Sequence, residues 1–161
     1  MPGSVHCDLS ESFALEFWVE LTDLTPGQTL LDSRDERGRG VVVQTTDRDT
    51  VEVVLASEEA VTRWDCDAGL LEAGRMHHIV VNVDAGPRII TFIVDGALCD
   101  GADHRQFGWG RFGENLRYAG AGQTLRIGPN LKGKNHRLRL YDRYLRTSEV
   151  LGNHRAGPGG S

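Results

Sequence analysis

From Phe13 to Leu21 the chain reads FALEFWVEL, with apolar side chains at every second position. In an extended strand Phe13, Leu15, Phe17, Val19 and Leu21 share one face, and Ala14, Glu16, Trp18 and Glu20 share the other. The first set predicts a surface turned to a core. GVVVQTTDRDTVEVVLAS carries two β-branched runs around Asp47-Arg48-Asp49, a hairpin pattern. HHIVVNVDAGPRIITFIVDG repeats it, with Ala85-Gly86-Pro87 at one turn and Asp95-Gly96 at the next. TLRIG and HRLRLYDRYL follow, Leu138 and Leu140 alternating with Arg137, Arg139 and Tyr141. Only TSEVLGNHR predicts a helix, with Thr147 as N-cap, Glu149 in the first turn and Gly152 limiting its length. Strands recurring every 8 to 12 residues or so, with no long helical segment between them, predict an all-β fold. The expected architecture is a two-sheet antiparallel sandwich with one short C-terminal helix.

Composition agrees with that reading. The 161 residues suit one domain, the 20 glycines suit many turns, and 39% apolar residues suffice for one sandwiched core. A net charge of −5 gives no basis for nucleic-acid binding. No apolar run reaches the roughly 18 residues of a membrane-spanning helix, and the N-terminus lacks signal-peptide regions. MPGS, residues 1–4, reads as an expression remnant and GPGGS, residues 157–161, as a linker or tail, which leaves 5–156 as the domain. A domain cut from a larger multidomain protein is the expectation. Cys7, Cys66 and Cys99 lack CxxC spacing and so do not suggest zinc; a Cys66–Cys99 disulfide and three buried free thiols both fit.

FALEFWV, GRMHHIVVNVD, TFIVDG, TLRIG and LRLYDRYLRTSEV, in this order from about Phe13 to Ala156, resemble the laminin G-like, concanavalin A-like jelly-roll domains. The likeness is strongest to those appended to bacterial polysaccharide-degrading and cell-surface proteins. It implies two curved sheets, loops or a concave face that often bind glycans, sometimes a structural calcium ion, and usually no catalysis. It also implies a secreted or cell-surface location. Asn135 and Arg146 depart from the aliphatic residue and the serine common at those places.

The candidate chemistry is sparse. Glu16 and Glu20 share a strand face but lie roughly 13 Å apart by the strand rise, beyond the reach of a glycosidase pair, and read as solvated carboxylates. Adjacent His77 and His78 point to opposite faces and cannot both ligate one ion; His77 is expected at the core edge, and His78, outward with Asn82, is the better ligand contact. Asp32 and Asp35, with Glu36, form an oxygen-rich loop of the kind that holds calcium, interleaved with arginines. Trp64, beside Asp65 and Asp67, either lines a sugar site or covers a sandwich edge. No nucleophile sits in an elbow or beside a histidine partner.

RQFGWGRFGENLRY sets Trp109 between two glycines, which predicts a loop, with the ring either plugged inward or presented outward. A pyranose offers an apolar face ringed by hydroxyls, suited to an indole with planar polar neighbours. Trp109, Arg111, Arg105, Asn115, Tyr118, Trp64 and His78 are therefore the candidate ligand contacts. The leading reading is a non-catalytic, lectin-like carbohydrate-binding module for a polysaccharide or glycan. A protein-interaction or structural module of the same fold is the alternative, and a jelly-roll hydrolase a weaker one.

Overall fold

The computed structural model describes residues 12–57, 60–101, 109–112, 126–128 and 130–159. Among them the strands are β1 (Phe13–Leu21), β2 (Thr29–Asp32), β3 (Gly40–Thr45), β4 (Val51–Ala56), β5 (Val61–Asp65) and β6 (Met76–Asp84). β7 (Ile89–Val94), β8 (Ala97–Leu98), β9 (Trp109–Arg111), β10 (Arg126–Ile127) and β11 (Gly133–Tyr141) follow, then the helix α1 (Thr147–Ala156). Two antiparallel sheets result. Sheet A runs β11-β1-β6-β7-β8, with β9 also paired to β7, and sheet B runs β10-β2-β3-β4-β5.

The period-two pattern determines what lies between the sheets. Phe13, Leu15, Phe17, Val19 and Leu21 are all buried there, against Val41, Val43, Val53, Leu55, Ile79, Val81 and Phe92. Burying each such side chain contributes about 1.5–3 kcal/mol, which makes this layer the main stabilising element. Cys66 and Cys99 belong to the same cluster and are not joined by a disulfide bond. Burial, with nearby Cys99 and the Asp65 and Asp67 carboxylates, pushes the Cys66 thiol up to about 12 despite a hydrogen bond from the Val51 N–H.

The turns follow the residues. Asp95 (φ 51°) and Gly96 (φ 80°) join β7 to β8, and a two-residue hairpin turn of this kind needs positive φ at both positions. Asp95 also accepts the His78 N–H at 2.9 Å. Three short strands differ from the sequence pattern. TLLD (β2) and VTRWD (β5) lack clear alternation, and Trp109 begins the edge strand β9 where a loop was expected.

The helix also differs at both ends. Arg146 occupies the N-cap position and Thr147 is the first helical residue, because Glu149 reaches back to accept the Arg146 N–H at 3.2 Å. α1 continues through Gly152 to Ala156, since packing rather than propensity holds it. Val150 and the preceding Leu145 are buried against Ala14, Val80 and Ile93 on the outer face of sheet A. Asn82 clamps the approach to the helix by donating to the Leu145 carbonyl at 2.9 Å and accepting its N–H at 2.8 Å.

Candidate functional site

The face of sheet A beneath α1 carries a buried polar cluster. His78 is 0% exposed and Glu16 only 1%, with His78 Nε2 2.9 Å from Glu16 Oε2. Glu16 also accepts from Asn153 Nδ2 at 3.0 Å, Tyr141 Oη at 3.3 Å and Arg139 Nη1 at 3.4 Å. Trp18 stacks on His78 at 4.4 Å, and the helix residue His154 stacks on His78 at 5.3 Å and on Trp18 at 5.7 Å. Burial acts to raise the Glu16 pKa, but hydrogen bonds from His78 and Asn153, with the charges of His78 and Arg139, hold it below the usual carboxylate range. Two expectations are corrected here. Glu16 is not a solvated strand-face carboxylate, and His78, although on the outer face as expected, is no surface contact, because α1 covers both. His77 packs at the core edge as expected. Its Nε2 accepts the Glu72 N–H at 2.9 Å, so Nδ1 bears the proton and donates to Asp95 at 2.6 Å.

Trp109 and Arg111 lie on the outward face of β9. Trp109 pairs with Thr91 and Arg111 with Ile89, while Gly110 between them faces inward opposite Ile90. The Arg111 guanidinium stands over the half-buried Trp109 ring, 5.1 Å from its centroid, and covers one ring face. Trp64, paired with Val53, packs against the core edge directly upon Gly110. Arg105, Asn115 and Tyr118 lie outside the described residues.

Asp32 and Asp35 do not converge on a shared cation site. Asp32 pairs with Arg34 at 2.9 Å and Arg126 at 3.0 Å, and Asp35 with Arg39 at 2.9 Å. Among the described residues no group of three or more His, Cys, Asp or Glu side chains is placed to hold a metal ion. No helix among them is long and apolar enough to cross a membrane.

On the opposite side of the sandwich, an open groove of about 310 Å³ is lined by Thr46, Asp47, Arg48, Glu52, Arg63, Trp64 and Asp65. The β3–β4 turn supplies one wall and β5 the other. Glu52 and Asp65 are direct cross-strand partners, an arrangement that like charges disfavour unless cations intervene. Here they do, since Arg63 pairs with Glu52 at 3.3 Å and Arg48 with Asp65 at 3.1 Å. Gln44 donates to Glu52 at 2.7 Å and Thr50 to Asp65 at 2.6 Å. The carboxylates are thus tucked beneath exposed guanidinium groups, with half-buried Trp64 alongside.

A family model of the concanavalin A-like lectin/glucanases superfamily, laminin G type, matches residues 2–151. The chain belongs to this superfamily. It folds as a jelly-roll sandwich of two antiparallel sheets. The domain titled Ruminococcus gnavus IT-sialidase CBM40 aligns with TM-score 0.66 at 13% identity, over 92% of this chain and 91% of that one. Domain 4 of AbnA, a GH43 extracellular arabinanase from Geobacillus stearothermophilus, solved with arabinotriose, aligns with TM-score 0.62 at 19% identity, over 89% and 68%. A botulinum neurotoxin type C structure, titled for its dependence on two ganglioside molecules, aligns with TM-score 0.68 at 13% identity. The superfamily domain described here spans 37% of that toxin chain. At such identities the likeness establishes fold. No curated protein matches by sequence.

Sequence reasoning singled out Trp64 but missed Arg48, Glu52 and Arg63. The available signal was the hairpin turn at Asp47-Arg48-Asp49, whose arginine stands where a neighbouring strand's carboxylate comes to meet it.

Proposed function

We propose that this domain is a non-catalytic carbohydrate-binding module, holding whatever it is joined to on a polysaccharide or glycan outside the cell. The observation that carries the reading is the open groove at β5, where exposed guanidinium groups and carboxylates gather beside the edge-packed Trp64. Sugar sites need this combination of apolar surface and placed donors and acceptors. The relatives add support, one being a sialidase module solved with α2,3-sialyllactose and another an arabinanase domain solved with arabinotriose. Linkage to a larger protein turns even a weak site into an effective tether by raising local concentration.

A hydrolase reading has one observation in its favour, the cross-strand placement of Glu52 and Asp65 in an open groove. Against it, both carboxylates are engaged by arginine side chains and by Gln44 and Thr50. Glu16 is sealed beneath α1 and out of substrate reach.

Retention of the purified domain on immobilised polysaccharides and a glycan array tests the proposal. Binding to a defined glycan without release of reducing sugar is the expected result. No binding at millimolar glycan together with capture of a defined protein partner favours the interaction module. Steady sugar release abolished by Glu52→Gln favours the hydrolase.

A further inference from the structure

We infer that the groove at β5 selects neutral saccharides, recognised through neighbouring hydroxyl groups, and disfavours sugars bearing carboxylate or sulfate. The inference rests on the carbohydrate-binding reading above and adds the ligand class.

The charge of the lining is the first ground. Among the described lining residues Arg48 and Arg63 face Asp47, Glu52 and Asp65, a balance of one negative charge in excess. Both arginines are already committed, Arg48 Nη2 to Asp65 Oδ2 and Arg63 Nη1 to Glu52 Oε2. An anionic sugar that takes a remaining N–H of either guanidinium is brought beside a protein carboxylate of the same sign. Like charges held together in a partly desolvated site are disfavoured.

A hydroxyl faces no such conflict, because it donates and accepts at once. Each pairing employs one guanidinium nitrogen, so further N–H donors remain for a ligand oxygen, while the carboxylate beside it can accept the hydroxyl proton. The pairs hold the arginine side chains in place although these are 50% and 62% exposed, which lowers the ordering cost of binding. Glu52 and Asp65 occupy directly opposed positions on neighbouring strands, so the two pairs stand side by side. One saccharide can therefore present a hydroxyl to each pair. A volume near 310 Å³ is at the small end of ligand sites and suits one or two sugar rings.

The test titrates the intact domain calorimetrically with neutral gluco-, xylo-, manno-, galacto- and arabino-oligosaccharides, and separately with oligogalacturonate, sialyllactose and a sulfated oligosaccharide. The expected result is binding of at least one neutral series with affinity little changed by added salt, and no measurable binding of the acidic set. Arg63→Ala and Arg48→Ala are each expected to weaken it about tenfold, the loss of roughly one charge-assisted hydrogen bond. Arg63→Lys and Arg48→Lys keep the charge, guard against misfolding and should lose affinity in the same direction, because an ammonium lacks the planar fork. Preference for an acidic sugar, or neutral binding indifferent to all four substitutions, overturns the inference and leaves the carbohydrate-binding reading standing. Binding of no sugar of either class overturns both.

Discussion

Gly110 lies so close to Trp64 that a Cβ added to the glycine would fall 2.5 Å from the indole Cδ2 and Cε3 atoms. Real contacts are never that short, so one strand or the ring would have to move. Gly110→Ala is expected to destabilise the domain by about 1–3 kcal/mol, the usual cost of overpacking. In a Trp64→Ala background the same change should cost almost nothing, because the clash has been removed. Thermal or urea unfolding of the four proteins of this double-mutant cycle checks it, and additive effects would mean the two residues are not in contact.

Glu16 should make stability depend on pH. Its pKa in the fold lies below the ordinary 4.5, so the folded state binds fewer protons there than the unfolded chain. The resulting stabilisation is complete above the unfolded value and is lost as pH falls through the folded one. Glu16→Gln is expected to lose less stability than the wild type on going from about pH 5 to about pH 3. Glu16→Ala should cost about 3–5 kcal/mol at neutral pH, since it strands His78 and Asn153. Urea titrations across that range measure both.

Cys66 is expected to resist thiol reagents in the folded protein. Burial raises its pKa to about 12, so almost none is thiolate at neutral pH. Denaturation of never-reduced protein should release three reactive thiols, equal to the three cysteines of the chain. A count of one would show that a disulfide had formed.

Calcium at Asp32 and Asp35 is not needed to neutralise them, because arginines already do so. Chelation by EDTA followed by calcium addition should leave the unfolding temperature unchanged. A clear calcium-dependent rise, abolished by Asp32→Asn or Asp35→Asn, would contradict this.

Most of the sandwich was legible because period-two alternation is local. FALEFWVEL already sorts Phe17 inward and Glu16 outward, and Asp95-Gly96 is a hairpin turn on sight. What alternation does not encode is what covers the outer face. Glu16 meets His78, 62 positions away, only when β1 pairs with β6, and Asn153, 137 positions away, only when α1 folds back over sheet A. β5 escaped for a related reason, since an edge strand with exposed Val61 and Arg63 is not obliged to show a buried face at every second residue. The glycines around Trp109 were read as freedom to turn. At Gly110 the structure gives a different reason, namely room for a ring arriving from the other sheet.

The position of α1 has a practical corollary for surface chemistry. The helix lies behind sheet A, and Arg137 fastens the chain just past it by donating to the Pro158 carbonyl at 2.9 Å. The groove opens on the far side of sheet B. A biotin or affinity tag appended after the last residue would therefore anchor the domain by its back, leaving the groove directed away from a sensor chip or bead.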